Sequence, residues 1–132
     1  MNTKQLPVKV TLLATTALLA VPALAGPAQA KGGDAVTNSA ACATGTIKVK
    51  AKIDNGKIEV EGEVDTNRVG QTWNWRVLRN GTLTAQGSKT TAAPSGSFSV
   101  TRRIANPAGQ DTITFRAARP ATGKVCSVSV KI

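Results

Sequence analysis

Three glutamates at alternate positions, Glu59, Glu61 and Glu63, form the densest set of side chains able to do acid–base or metal chemistry. On one strand they share a face, spaced about 7 Å apart, a separation that paired glycosidase carboxylates use. Lysines alternate in the same way just upstream, at Lys48, Lys50 and Lys52. Carboxylates on an open strand beside cations read as ion-pair partners, not as a general acid. The rest of the catalytic inventory is thin. The chain has no His, which excludes Ser-His and Cys-His nucleophile pairs and imidazole acid–base work. Ser95-Gly96-Ser97 has no base beside it in the sequence, and no phosphate loop or EF-hand pattern occurs. A zinc site lacks ligands, because there is no His and only Cys42 and Cys126 are available. No enzyme, cofactor or metal centre is expected on these grounds.

What remains is charge and aromatic surface. The chain carries 17 Lys and Arg against seven Asp and Glu, a formal charge of +10. Such an excess draws a protein to anionic polymers. Arg76 and Arg116 are the expected centre of an anion-binding face, with Asn74 and Lys131. All four fall on the outward phase of their strands if the strands at 71–79, 111–118 and 124–132 share a sheet. That face then reads Thr72, Asn74, Arg76, Thr112, Thr114, Arg116, Ser127, Ser129 and Lys131. Arg binds phosphate or carboxylate through a planar fork of donors. Trp73 and Trp75 offer either a stacking platform or two core side chains. Their alternation on a middle strand favours the core.

The elements that position these residues begin with Thr46–Asp65, TIKVKAKIDNGKIEVEGEVD. Asn-Gly is the strongest short hairpin signal, because a type I′ turn needs positive φ at both central residues. With Asn55-Gly56 at the tip, Lys52 faces Glu59, Lys50 faces Glu61 and Lys48 faces Glu63. On the other side Ile53 faces Ile58, Ala51 faces Val60, Val49 faces Gly62 and Ile47 faces Val64. A slip of one residue breaks both patterns at once. Exposed ion pairs contribute about 0–1 kcal/mol each, so their larger effect is on register.

Further strands are expected at 71–79, 82–86, 97–104, 111–118 and 124–132. Asn80-Gly81 suggests a second tight hairpin, in which Leu78 faces Leu83 and the Trp face meets Thr84 and Gln86. Asn80-Gly81-Thr82 also matches a glycosylation acceptor, although the turn explains it more simply. Residues 87–94 read as a loop. Arg102 shares the apolar phase of Phe98, Val100 and Ile104, which predicts a strand end or a bulge there.

Residues 1–30 read as a secretory signal peptide. Lys4 and Lys9 precede an apolar run, and Ala28-Gln29-Ala30 fits a cleavage site after Ala30; a cut after Ala25 is the alternative. The run is broken by Thr15, Thr16 and Pro22, and a membrane span needs about 20 apolar residues. No Cys follows it, as a lipoprotein anchor requires. Removing thirty residues from 132 leaves 102 and takes away two lysines, so the charge falls to +8. Residues 31–41 read as a flexible lead-in, and 42–132 as one domain. In an exported domain, Cys42 and Cys126 are expected to pair. Closing 84 residues is worth about 4–5 kcal/mol in the chain-entropy model.

Seven short strands separated by turn residues predict an all-β, antiparallel β-sandwich. The order of a first hairpin, a Trp-bearing strand and a penultimate strand opening DTITFRA resembles small immunoglobulin-like domains over Cys42–Ile132. The chain departs from antibody-type domains in lacking a Tyr on the penultimate strand and their usual inter-sheet cysteine pair. With Cys42 before the first strand and Cys126 opening the last, a start-to-start bond suits terminal strands that run parallel, as in that topology. The resemblance implies a fold and not an activity. The expected function is a secreted binding module for an anionic cell-wall or extracellular polymer, or for a protein. No specific nucleic acid recognition is expected, nor a transmembrane span once the signal peptide is removed. The alternative is an inhibitor or effector presenting a loop at Ser88–Ser95 or Arg119–Gly123.

Overall fold

The computed structural model describes residues 33–132. The expected signal peptide lies outside the described residues. Eight strands follow one another: β1 (Val36–Cys42), β2 (Gly45–Asp54), β3 (Lys57–Asp65), β4 (Thr72–Arg79), β5 (Thr82–Thr90), β6 (Ser97–Ala105), β7 (Thr112–Arg119) and β8 (Lys124–Lys131). They form two four-stranded sheets, ordered β1-β2-β3-β6 and β5-β4-β7-β8, with every neighbouring pair antiparallel.

The β2–β3 hairpin has the expected register, with Lys52 opposite Glu59 and Lys50 opposite Glu61. Asn55 and Gly56 both have positive φ, at 50° and 74°, as the tight turn demands. Its apolar side supplies Ile47, Val49, Ala51, Ile58, Val60 and Val64 to the core. The facing sheet supplies Trp73, Trp75, Val77, Ile113, Phe115 and Ala117. Gly62 points into this core, and a Cβ there would overlap the Phe115 ring. The missing side chain is therefore a socket for an aromatic from the other sheet.

The segment expected as a flexible lead-in instead contains β1, which pairs with β2 from Val36↔Ala51 to Cys42↔Gly45. Between half-buried Val36 and buried Cys42 its side chains are exposed. Backbone pairing to an open strand edge holds it, so it shows no apolar period. Cys42 therefore closes a strand and does not precede the first one. It bonds to Cys126 near the start of β8, with Cα atoms 5.6 Å apart. The Asn38 amide also donates to the Ser129 carbonyl at 3.0 Å. From 38 to 42 the partners run backwards from 129 to 126, so β1 is antiparallel to β8 while β2 runs parallel to it. The expected parallel relation holds for β2, the strand it was assigned to, although Cys42 itself lies on the preceding antiparallel strand.

The β4–β5 hairpin corrects a second expectation. Leu78 does face Leu83, but a register shift between Val77 and Leu78 puts Val77 opposite Ala85 and Trp75 opposite Gly87. Thr84 Oγ1 donates to the Val77 carbonyl at 2.9 Å, within this irregularity. The extra residue replaces Thr84 and Gln86 by small residues under the core. A Cβ on Gly87 would lie 2.7 Å from Trp75 Cζ2. The pairing then continues to Thr90, so the strand covers the first half of the expected loop. Arg102 has neither a bulge nor a strand end. It pairs in register with Val60 and sets its guanidinium 4.8 Å from the centre of the Trp75 ring. A cation over an indole face is an attractive arrangement, and Arg102 stays exposed at this edge strand, so its place in the apolar phase buries no charge.

Two outcomes test this packing. Ala is ordinarily a better strand residue than Gly by about 0.5–1 kcal/mol, yet Gly62→Ala is expected to destabilise by about 1–3 kcal/mol through overpacking against Phe115. A urea midpoint unchanged or raised by that substitution contradicts the socket. Paired Cys42→Ser and Cys126→Ser substitutions are expected to lower stability by about 2–5 kcal/mol. They should also speed amide exchange in β1 before β2 and β3. Exchange that accelerates uniformly, or a stability that does not fall, contradicts the anchoring of β1.

Candidate functional site

The two outer faces differ in charge because the acidic residues are unevenly placed. On β2, β3 and β6 cations meet carboxylates: Lys50 Nζ lies 3.5 Å from Glu61, Lys52 Nζ 3.6 Å from Glu59 and an Arg103 guanidinium nitrogen 3.3 Å from Asp54. Glu59 and Glu61 are thus partners of cations, while Glu63 faces Lys48 in register without forming an ion pair among the described residues. Beyond residue 66 the sequence has one acidic residue, Asp111, and it is only 3% exposed. Its Oδ1 accepts from the Asn80 amide at 2.9 Å, with Arg79 Nε at 3.9 Å. Asn80 Oδ1 in turn accepts from the Thr112 backbone at 2.8 Å. Both ends of the Asn80 side chain are engaged within the fold, as a residue holding the turn would be.

The outer face of β5-β4-β7-β8 therefore displays cations with no carboxylate. Its side chains stand in rows across the strands. One row is Gln86, Arg76, Arg116 and Ser127; the next is Ser88, Asn74, Ala118 and Val125. Arg76 and Arg116 are direct partners in register, so their Cβ atoms are about 4.5–5.5 Å apart. Among the described residues neither takes part in an ion pair. The long side chains of the first row rise beside the short ones of the second, leaving two adjoining hollows. One, of about 390 Å³, is lined by Asn74, Trp75, Arg76, Gln86, Gly87 and Ser88. The other, of about 170 Å³, is lined by Asn74, Arg76, Arg116 and Ala118.

Of the expected site residues, Asn74, Arg76 and Arg116 come together. Lys131 does not: it pairs with Thr112, four positions along β7 from Arg116, or about 13 Å at the usual strand rise. Gln86 and Ser88 border the same hollows but were not foreseen, because the β4–β5 shift that places them carries no plain sequence signal. Gly87 opposite a Trp was the available clue. Trp73 and Trp75 are 0% and 2% exposed, so both are core and neither forms a stacking platform.

Of the two loops considered for an inhibitor, the first is shorter than expected and the second is the expected turn. Ser88–Thr90 belongs to β5, Thr91 is buried, and the Ala92 amide donates to the Ser97 carbonyl at 2.9 Å across a tight turn. Arg119–Gly123 is closed by amides of Thr122 and Gly123 donating to the Arg119 carbonyl at 3.2 and 2.9 Å. Among the described residues no three His, Cys, Asp or Glu side chains cluster as metal ligands. No helix among them is long and apolar enough to cross a membrane. Compared with known protein families, with curated proteins and with solved structures, the chain matches none.

Proposed function

We propose that the protein is an exported, non-catalytic binding module whose β5-β4-β7-β8 face takes an anionic cell-wall or extracellular polymer. The observation that carries this reading is the separation of charge between the two faces: cations paired with carboxylates on one, cations without carboxylates on the other. A field of one sign over a flat surface concentrates polyanions by long-range attraction. The fold is read as immunoglobulin-like. Support comes from the Trp-bearing β4 sharing a sheet with β7 and β8, and from β2 running parallel to β8. Strand β5 joins β4 here, and not the sheet of β3 and β6 as in constant-type domains. Export is supported by the leader pattern at residues 1–30 and by the Cys42–Cys126 bond.

Retention of the mature chain on immobilised heparin tests the reading. Retention is expected to fall steeply as salt rises, because bound counterions are released. Replacing Arg76 and Arg116 together by Ala is expected to bring elution to clearly lower salt. Replacing Lys50 and Lys52 by Ala removes the same formal charge from the opposite face and is expected to shift elution less. Equal shifts for the two pairs mean that net charge alone governs retention, and the proposed face is then wrong.

A further inference from the structure

The same surface points to a more specific ligand, an inference that rests on the polymer-binding reading above. Arg76 and Arg116 are not spaced along the face as two independent contacts would be. They stand directly opposite each other on β4 and β7, and like charges in that position repel. Both border the 170 Å³ hollow together with Asn74 and Ala118, which stand side by side in the next row. Three donor-bearing side chains therefore surround one small depression, and no carboxylate shares it.

We propose that this hollow clamps a single tetrahedral oxyanion carrying three free oxygens, a sulfate ester or phosphomonoester substituent of the polymer. Arg76 and Arg116 donate from one row and Asn74 from the next. A carboxylate fits less well, because its two coplanar oxygens are already satisfied by the fork of one arginine. A phosphodiester has only two free oxygens for three donors. The polymer's neutral, hydroxyl-bearing backbone lies over the adjoining 390 Å³ hollow, where Asn74, Gln86 and Ser88 supply amide and hydroxyl groups.

Two arginines on one anion make their contributions interdependent, whereas two arginines on separate groups act independently. A double-substitution cycle on heparin binding by the mature chain distinguishes these cases. Arg76→Ala and Arg116→Ala are each expected to weaken the association constant about tenfold. The double variant is expected to be little weaker than either single one. A loss near a hundredfold in the double variant overturns the clamp and leaves the polymer reading intact, whereas heparin binding indifferent to both substitutions overturns the clamp and the proposed face together. Failure of the unsubstituted chain to bind heparin or polyphosphate overturns the polymer reading and the clamp with it. Polygalacturonate, a carboxylated polymer, is expected to bind more weakly than heparin at matched salt; equal binding overturns the preference for a tetrahedral group.

Heparin and polyphosphate, whose terminal phosphates each carry three free oxygens, separate a sulfate source from a phosphate one. The free protein supplies a second readout. At low millimolar concentration and matched ionic strength, where stabilisation by excluded sulfate is negligible, inorganic sulfate is expected to raise its melting temperature above that in chloride, and Arg76→Gln is expected to abolish that increment. An increment retained in Arg76→Gln contradicts the clamp.

Discussion

The rest of the structure depends on the alignment of β2 with β3. Positive φ at Asn55 and Gly56 fixes a two-residue turn, and the turn fixes which residues are opposite. Because side chains alternate between faces, one register decides two things together. It sends Ile47, Val49, Ile58, Val60 and Val64 into the core, and it brings Lys50 and Lys52 to Glu61 and Glu59. Half of the molecule's surface is neutralised by that choice. The opposite sheet, built from a stretch with a single and buried acidic residue, keeps its positive charge. The polarity of the molecule is therefore a consequence of hairpin register and of where the acids fall in the chain.

The two sheets meet at edges that are managed by different means. Along one side β1 lies against β8, joined by the Cys42–Cys126 bond and by Asn38 donating to Ser129. Along the other, Arg102 of β6 rests over Trp75 of β4. Between them the core has sockets at glycines: Gly62 receives the Phe115 ring and Gly87 lies under Trp75. Gly87 also connects the core to the surface. The shift that brings it beneath the indole is the one that turns Gln86 and Ser88 outward beside Arg76 and Asn74. Packing on the inside thus sets the outline of the hollows on the outside.

Much of this was legible in the residues. The β2–β3 pairing and the Trp-bearing middle strand follow from strict alternation and turn chemistry, the cysteine bond from there being just two cysteines, and the meeting of Arg76 with Arg116 from placing their strands in one sheet. What was not legible has identifiable causes. Strand β1 buries almost no side chain, so its sequence shows no period. The β4–β5 shift breaks the simple arithmetic of a two-residue hairpin and hid both the length of β5 and the roles of Gln86 and Ser88. Arg102 reads as a misplaced charge unless the indole opposite it is known. Lys131 shares a face with Arg116 but lies rows away, because phase gives the side of a sheet and not the distance along it.

The central claim is that anionic ligand is taken by one face of the molecule, the one on which Arg76 and Arg116 stand opposite each other. The most direct measurement is a nuclear magnetic resonance titration of the isotope-labelled mature chain with a short heparin fragment at constant ionic strength. Perturbed signals are expected at Asn74, Arg76, Gln86, Ser88, Arg116 and Ala118, with those of Lys50, Glu61 and Lys52 unmoved. Perturbations centred on β2 and β3, or small shifts spread evenly over both faces, contradict the claim.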